Sequence, residues 1–249
     1  MMTALLLAGI LTFLFTALLT IAGVGAAFVL IPIFLALGIE VHAAMATALL
    51  LNAVAMSVAS VNFVRKALVV WKVALPMVLV ASALSPLGAW VSQGLNRNAL
   101  LWLFVGFLVF AALMMLFYTP RTRGTMSGSK VLLGIGLGVG GLAGFIGGLL
   151  GVGGGNIIVP ALVALGFDPK KASASTSFVV IFSSLAGFLG HMSMSGVNYT
   201  LLGCTAAGSA GGALLGSWLM TDKLKGRQVK VIIGLVLVAI AAKMAWGLL

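Results

Sequence analysis

The 249-residue sequence is poor in charge, and poorest in acid. Only 7% of it is Asp, Glu, Lys or Arg, and just three residues are acidic: Glu40, Asp168 and Asp222. A soluble domain carries about a quarter charged residues, so a soluble globular class is excluded. Cysteine occurs once, as Cys204 in an apolar run, which excludes an internal disulfide and reads as a small packing residue. Histidine occurs twice, as His42 and His191. No His/Cys spacing fits a metal, and no nucleophile stands beside a base, so the expectation is no metal, no cofactor and no enzyme. Period-two alternation is also missing from runs such as 100–118, which excludes a membrane β-barrel.

What the sequence has is apolar length. Hydrophobic residues make up 62% of it, and mean hydropathy is +1.28. Ten apolar segments are predicted at 3–20, 26–38, 43–64, 73–92, 99–118, 131–149, 156–166, 171–192, 199–220 and 229–248. The fold class is an all-α polytopic membrane protein in a lipid bilayer. The first segment lacks a basic region before it and is read as part of the mature protein.

A shift of 128 residues lays 23–46, GVGAAFVLIPIFLALGIEVHAAMA, on 151–174, GVGGGNIIVPALVALGFDPKKASA. Nine of the twenty-four positions are identical. Glu40 falls on Asp168, and Trp90 on Trp218. The chain therefore reads as two repeats of about five segments, 1–119 and 131–249, joined by a polar linker at 120–130.

The net charge of +11 would point to nucleic acid in a soluble protein. Here the basic residues stand in short loops, where the positive-inside rule accounts for them, and no nucleic-acid partner is expected. Placing the regions after the third, fifth, seventh and ninth segments in the cytoplasm puts twelve of fourteen basic residues inside. Both termini then lie outside a cell membrane, and the repeats are inverted, as in many secondary transporters. Arg65 and Lys66 mark a basic cytoplasmic mouth. Segments 26–38 and 156–166 reach only about half to two-thirds of a hydrocarbon core about 30 Å thick, so half-helices, re-entrant hairpins and full crossings all stay open.

The glycines mark the candidate site. Gly151, Gly153, Gly154 and Gly155 interrupt an apolar segment, as do Gly23 and Gly25 in the first repeat. Broken backbone at membrane depth needs protein or a wet cavity around it. A helix restarting after the break aims its free N–H groups into it, which suits an anion. Asn156 adds a donor, where the first repeat has Phe28. Ser173, Thr176 and Ser177 follow at helical spacing, and the first repeat offers Thr47 and Asn52. Pro32 and Pro160 are expected to mark helix breaks. Glu40 and Asp168 read as helix caps, and with His191 they are candidates for ion coupling. GLGVGG at 136–141 matches a dinucleotide fingerprint but lacks a preceding strand and a following acid, so it reads as packing.

The duplicated glycine–proline motif, AMATALLLN at 44–52 beside ASASTSF at 172–178, and NFVRKALVVW at 62–71 resemble the sulfite exporter TauE/SafE family, also called the toluene sulfonate uptake permease family. The resemblance covers nearly the whole chain. It implies a secondary transporter of small sulfur-containing anions such as sulfite or organosulfonates. A passive anion channel, a transporter of another small carboxylate or anionic solute, and a membrane scaffold are the alternatives. Monomer and homodimer both stay open.

Overall fold

The computed structural model describes residues 2–36, 38–117, 129–192 and 199–247. Loop 193–198 and most of the linker, with Arg121 and Arg123, lie outside these residues, as does the side chain of Cys204. Ten α-helices follow one another, with no strand among the described residues. They are α1 Met2–Ala22, α2 Ala27–Ala36, α3 Val41–Arg65, α4 Trp71–Ser92 and α5 Arg97–Phe117. Then come α6 Ser129–Leu149, α7 Gly155–Ala164, α8 Pro169–Met192, α9 Tyr199–Trp218 and α10 Gly226–Trp246. A π-helical turn, Leu219–Lys223, follows α9. Among the described residues, four helices are long and apolar enough to cross a membrane: Val41–Arg65, Trp71–Ser92, Lys130–Leu149 and Pro169–His191. Helices suit that setting because each satisfies its own backbone without water.

The half-length segments are real. α2 and α7 hold 10 residues each, about 15 Å of rise against a hydrocarbon core about 30 Å thick. Pro32 and Pro160 lie inside them rather than at their ends, which corrects the expectation that the prolines break the chain. The turns fall at the glycines instead. Gly23, Gly25, Gly151, Gly153 and Gly154 all have φ between +70° and +78°, a region that L side chains occupy only at a cost. Each proline sits at the sixth helical position. It removes the N–H that would bond four residues back, to the carbonyl of Phe28 or of Asn156.

Packing ties the two halves together. α3 lies on α8, α4 on α6 and α8, α1 and α3 on α9, and α5 on α10. Glycine makes two of these contacts close. Along α6, Gly140, Gly144 and Gly148 recur every four residues and lie on Met77, Ala81 and Ser85 of α4. Along α9, Gly208, Gly212 and Gly216 do the same against Gly9, Phe13 and Ala17 of α1. This is small-residue helix packing; of the 136–141 glycines, Gly136, Gly140 and Gly141 lie on α4, whereas Gly138 has no neighbour within 4 Å. The core runs through Phe28, Phe34, Leu51, Met56, Val152, Val159 and Val180.

Candidate functional site

The two glycine breaks meet in the buried middle of the molecule, between α3 and α8. A Cβ added to Gly155 would stand 2.7 Å from the Val24 carbonyl oxygen. Gly23 presses on the backbone of Ser173 in α8, and Gly151 lies against Met45 of α3. Each break therefore touches the long helix of the other half. Each also touches its own: Gly25 lies against the Asn52 amide, and Gly153 against Val180 and Ser184. Glycine is required here because a methyl group would overlap these neighbours.

Polar groups line this junction. Asn52 Nδ2 donates to Ser184 Oγ at 3.1 Å. Ser183 Oγ donates to the Gly153 carbonyl at 2.8 Å, and Ser85 Oγ from α4 donates to the Ser183 carbonyl at 2.8 Å. Ser177 Oγ bonds the Ser173 carbonyl at 2.9 Å and approaches that of Gly23 at 3.4 Å. Ser173 and Ser177 thus serve helix and break, and Thr47 is buried in α3. Ser183, Ser184, Ser85 and Met45 were not singled out from the sequence. The available signal was spacing: Ser184 continues the row from Ser177 at i+7.

Asn156, Thr176 and Asn52 keep open hydrogen-bonding capacity, among buried side chains that also include Thr16, Thr20 and Ser60. Asn156 and Thr176 are 0% exposed, and neither Asn156 Oδ1, Asn156 Nδ2 nor Thr176 Oγ1 has a partner. Asn52 is equally buried, with Oδ1 unpaired. Its amide can be turned over, so that Ser184 donates and the NH₂ faces Gly25. Burying an unpaired amide or hydroxyl costs about 1–3 kcal/mol. Asn52, Asn156 and Thr176 lie on α3, α7 and α8, the helices that border the breaks. At the start of α7 the N–H groups of Ile157 and Ile158 bond the Gly154 carbonyl at 3.0 and 3.2 Å, which leaves those of Gly155 and Asn156 facing the break, and Gly154 before them carries no side chain to cap them.

The acids do other work. Glu40 Oε2 accepts from the N–H groups of His42 and Ala43 at 2.9 and 3.0 Å, capping α3. Asp168 Oδ1 accepts from Lys170 and Lys171 N–H at 3.0 and 3.2 Å, capping α8. His191 is fully buried near the far end of α8. Its Nε2 donates to the Gly148 carbonyl at 2.8 Å, just before the second break, and its ring stacks on His42 with centroids 5.7 Å apart. At the opposite end of α3, Lys66 Nζ pairs with Asp222 Oδ1 at 2.8 Å. The hydrogen bond from Lys66 holds the Asp222 carboxyl below its ordinary value of 3.8. Arg65 is exposed beside it. The described residues hold no group of three or more His, Cys, Asp or Glu that fits a metal ion.

A family model described as sulfite exporter TauE/SafE matches residues 6–244. A probable membrane transporter protein of Bacillus subtilis (strain 168), YunE, is 32% identical over 113 residues, which is 45% of this chain and 41% of that protein. Sulfite exporter TauE/SafE family protein 1 of Arabidopsis thaliana is 46% identical over 69 residues, 28% of this chain and 14% of that protein. Family protein 6 of the same plant is 48% identical over 62 residues, 25% of this chain and 13% of that protein. The matched stretches span less than half the length of each of these relatives. No solved structure matches the chain.

Proposed function

The chain belongs to the sulfite exporter TauE/SafE family of membrane transporters, and from that premise we propose that it carries a small sulfur-containing anion, sulfite or an organosulfonate, by alternating access. It is not an enzyme in this reading. The observation that carries the proposal is the junction of the two breaks, where Asn156, Thr176 and Asn52 are fully buried with unpaired polar atoms.

A sulfonate spreads one negative charge over three oxygens, each an acceptor. Asn156 Nδ2, the Thr176 hydroxyl and the N–H groups of Gly155 and Asn156 supply donors, and the positive end of the α7 dipole supplies field. The Asn52 amide lies against Gly25 and Gly153, and Ser177 reaches the Gly23 carbonyl. Donors without full charge hold an anion and still release it. The complete burial of the set supports an occluded carrier over an open channel.

In the proposed topology the repeats are inverted in a cell membrane, both termini are outside, and Arg65 and Lys66 are cytoplasmic. Rocking of α2 and α7 about the α3–α8 crossing would expose the junction to each side in turn. The proposed coupling residue is His191, since Glu40 and Asp168 each hold a helix N-terminus through one carboxylate oxygen.

Proteoliposomes holding the purified protein and labelled sulfite, or a simple sulfonate, test this. Saturable flux with counterflow is expected. Flux that neither saturates nor shows counterflow makes the protein a channel. No flux of any sulfur anion through folded protein removes the substrate assignment.

A further inference from the structure

A groove of about 400 Å³ opens on the outer side of α3 and α9, well away from the glycine junction. Val58, Val61 and Leu214 form its floor, and Asn62, Arg65, Ser217 and Trp218 its upper end. Val61 is 54% exposed and Leu214 59%, so the floor faces what surrounds the protein rather than its core. In a spanning helix that neighbour is lipid tail. Arg65 is the last residue of α3, which sets the upper end of the groove at the membrane boundary.

Charge at that end is unbalanced. The one acid there, Asp222, is taken by Lys66 at 2.8 Å. Lys170 Nζ donates to the Thr221 carbonyl at 3.0 Å, and Asn62 Nδ2 to Thr221 Oγ1 at 3.4 Å. Arg65, exposed and lining the groove, has no ion pair among the described residues. Lys223 Nζ stands 5.4 Å from the centroid of the Trp218 ring that walls the groove. Tryptophan at a helix end is itself a membrane-interface anchor.

We propose that this groove binds an anionic phospholipid, with its phosphate at Arg65 and Trp218 and an acyl chain along Val58, Val61 and Leu214. The apolar floor selects a lipid over a soluble phosphate, which would leave that floor uncovered. The uncompensated guanidinium selects an anionic headgroup over a zwitterionic one.

Quenching of Trp218 by brominated lipid tests the assignment. The full chain is reconstituted in phosphatidylcholine vesicles containing either brominated phosphatidylglycerol or brominated phosphatidylcholine. The Trp218 signal is taken as the difference from Trp218→Phe. Half-quenching is expected at a roughly fivefold lower fraction of the anionic lipid. Arg65→Gln is expected to erase that preference with the protein still folded by size-exclusion chromatography, and Val61→Phe to weaken quenching by both lipids with anion counterflow retained. Equal quenching by the two lipids, or a preference that survives Arg65→Gln, overturns the proposal. So does relief of the quenching by millimolar inorganic phosphate, which would make the occupant a soluble anion.

Discussion

Gly23 and Gly25 turn the chain at φ +71° and +76°; Gly151 and Gly153 turn it at +70° and +72°. The helices that follow have the same length, with proline at the same place. What fills the two turns is different. Behind the first stands Phe28, fully buried and apolar; behind the second stands Asn156, equally buried with both amide ends unpaired. α8 supplies Thr176, Ser183 and Ser184, where the matching positions of α3 are Ala48, Ala55 and Met56. In the other direction α3 supplies Asn52, matched by Val180. The repeat gives the junction its shape, and the departures from the repeat give it polarity. Two turns of the same backbone angles are here lined by side chains of different polarity.

The strongest way to break this comparison is alanine at the glycines themselves. Gly23→Ala drives a methyl into the Ser173 backbone and Gly151→Ala drives one onto the Cβ of Met45, whereas Gly38→Ala, at φ +79°, meets nothing within 4 Å. Gly23→Ala is therefore expected to lose most folded protein, by size-exclusion yield. Gly38→Ala is expected to fold with a strain of about 1–3 kcal/mol. Equal losses at both would show that the backbone angle, and not the neighbour, sets the cost.

Next comes the amide. Asn156→Leu is expected to weaken sulfonate or sulfite counterflow about 10- to 150-fold, the worth of a hydrogen bond to a charged group. The same change removes an unpaired buried amide, so the melting temperature in detergent should hold or rise. Phe28→Leu should leave apparent affinity within about threefold and instead lower stability by about 1 kcal/mol. A reversed pattern would move the site to the first break.

A smaller effect is expected at the bond between the halves. Ser184→Ala removes the partner of Asn52 Nδ2 and should cost about 1 kcal/mol. Asn52→Val, which copies the second half, should cost less stability but more transport.

The smallest effect concerns the Lys66–Asp222 pair, which also joins the halves but lies at the exposed end. Asp222 is held low in the folded protein, so the pair's contribution is present above the ordinary carboxylate value of 3.8. It is lost as pH falls through the lowered folded value. Lys66→Gln should raise the Asp222 titration seen by carbon NMR and barely change the melting temperature at neutral pH. A large loss at pH 7 would show that this end, and not the junction, holds the halves together.

The ten segments were legible because each is a long apolar run bounded by glycine, charge or a cap, and every helix end lies within three residues of its expected place. The breaks were legible because glycine, and then asparagine, interrupt such runs. Pro32 and Pro160 misled. Proline signals a break in general, but a preceding glycine at positive φ had already turned the chain, so the helix could start early and include the ring. Ser183 and Ser184 were hidden for another reason. Hydroxyls on apolar helices usually bond their own backbone, and nothing local tells which will reach across to Gly153 and Asn52. Met45 carries no chemical signal at all; only the crossing of α3 and α8 puts it on Gly151.

The interlocking of α1 with α9 and of α4 with α6 sets an order on biogenesis. The ribosome delivers α1 and α4 to the bilayer long before their glycine-ridged partners exist. Until then the first half can hold its position only through lipid and its own short helix. Its tight contacts, and with them the closed junction, form late, when the C-terminal half arrives. The first half is thus an unfinished surface during translation, and the nascent chain becomes a single body only after α9, and α10 for α5, have emerged.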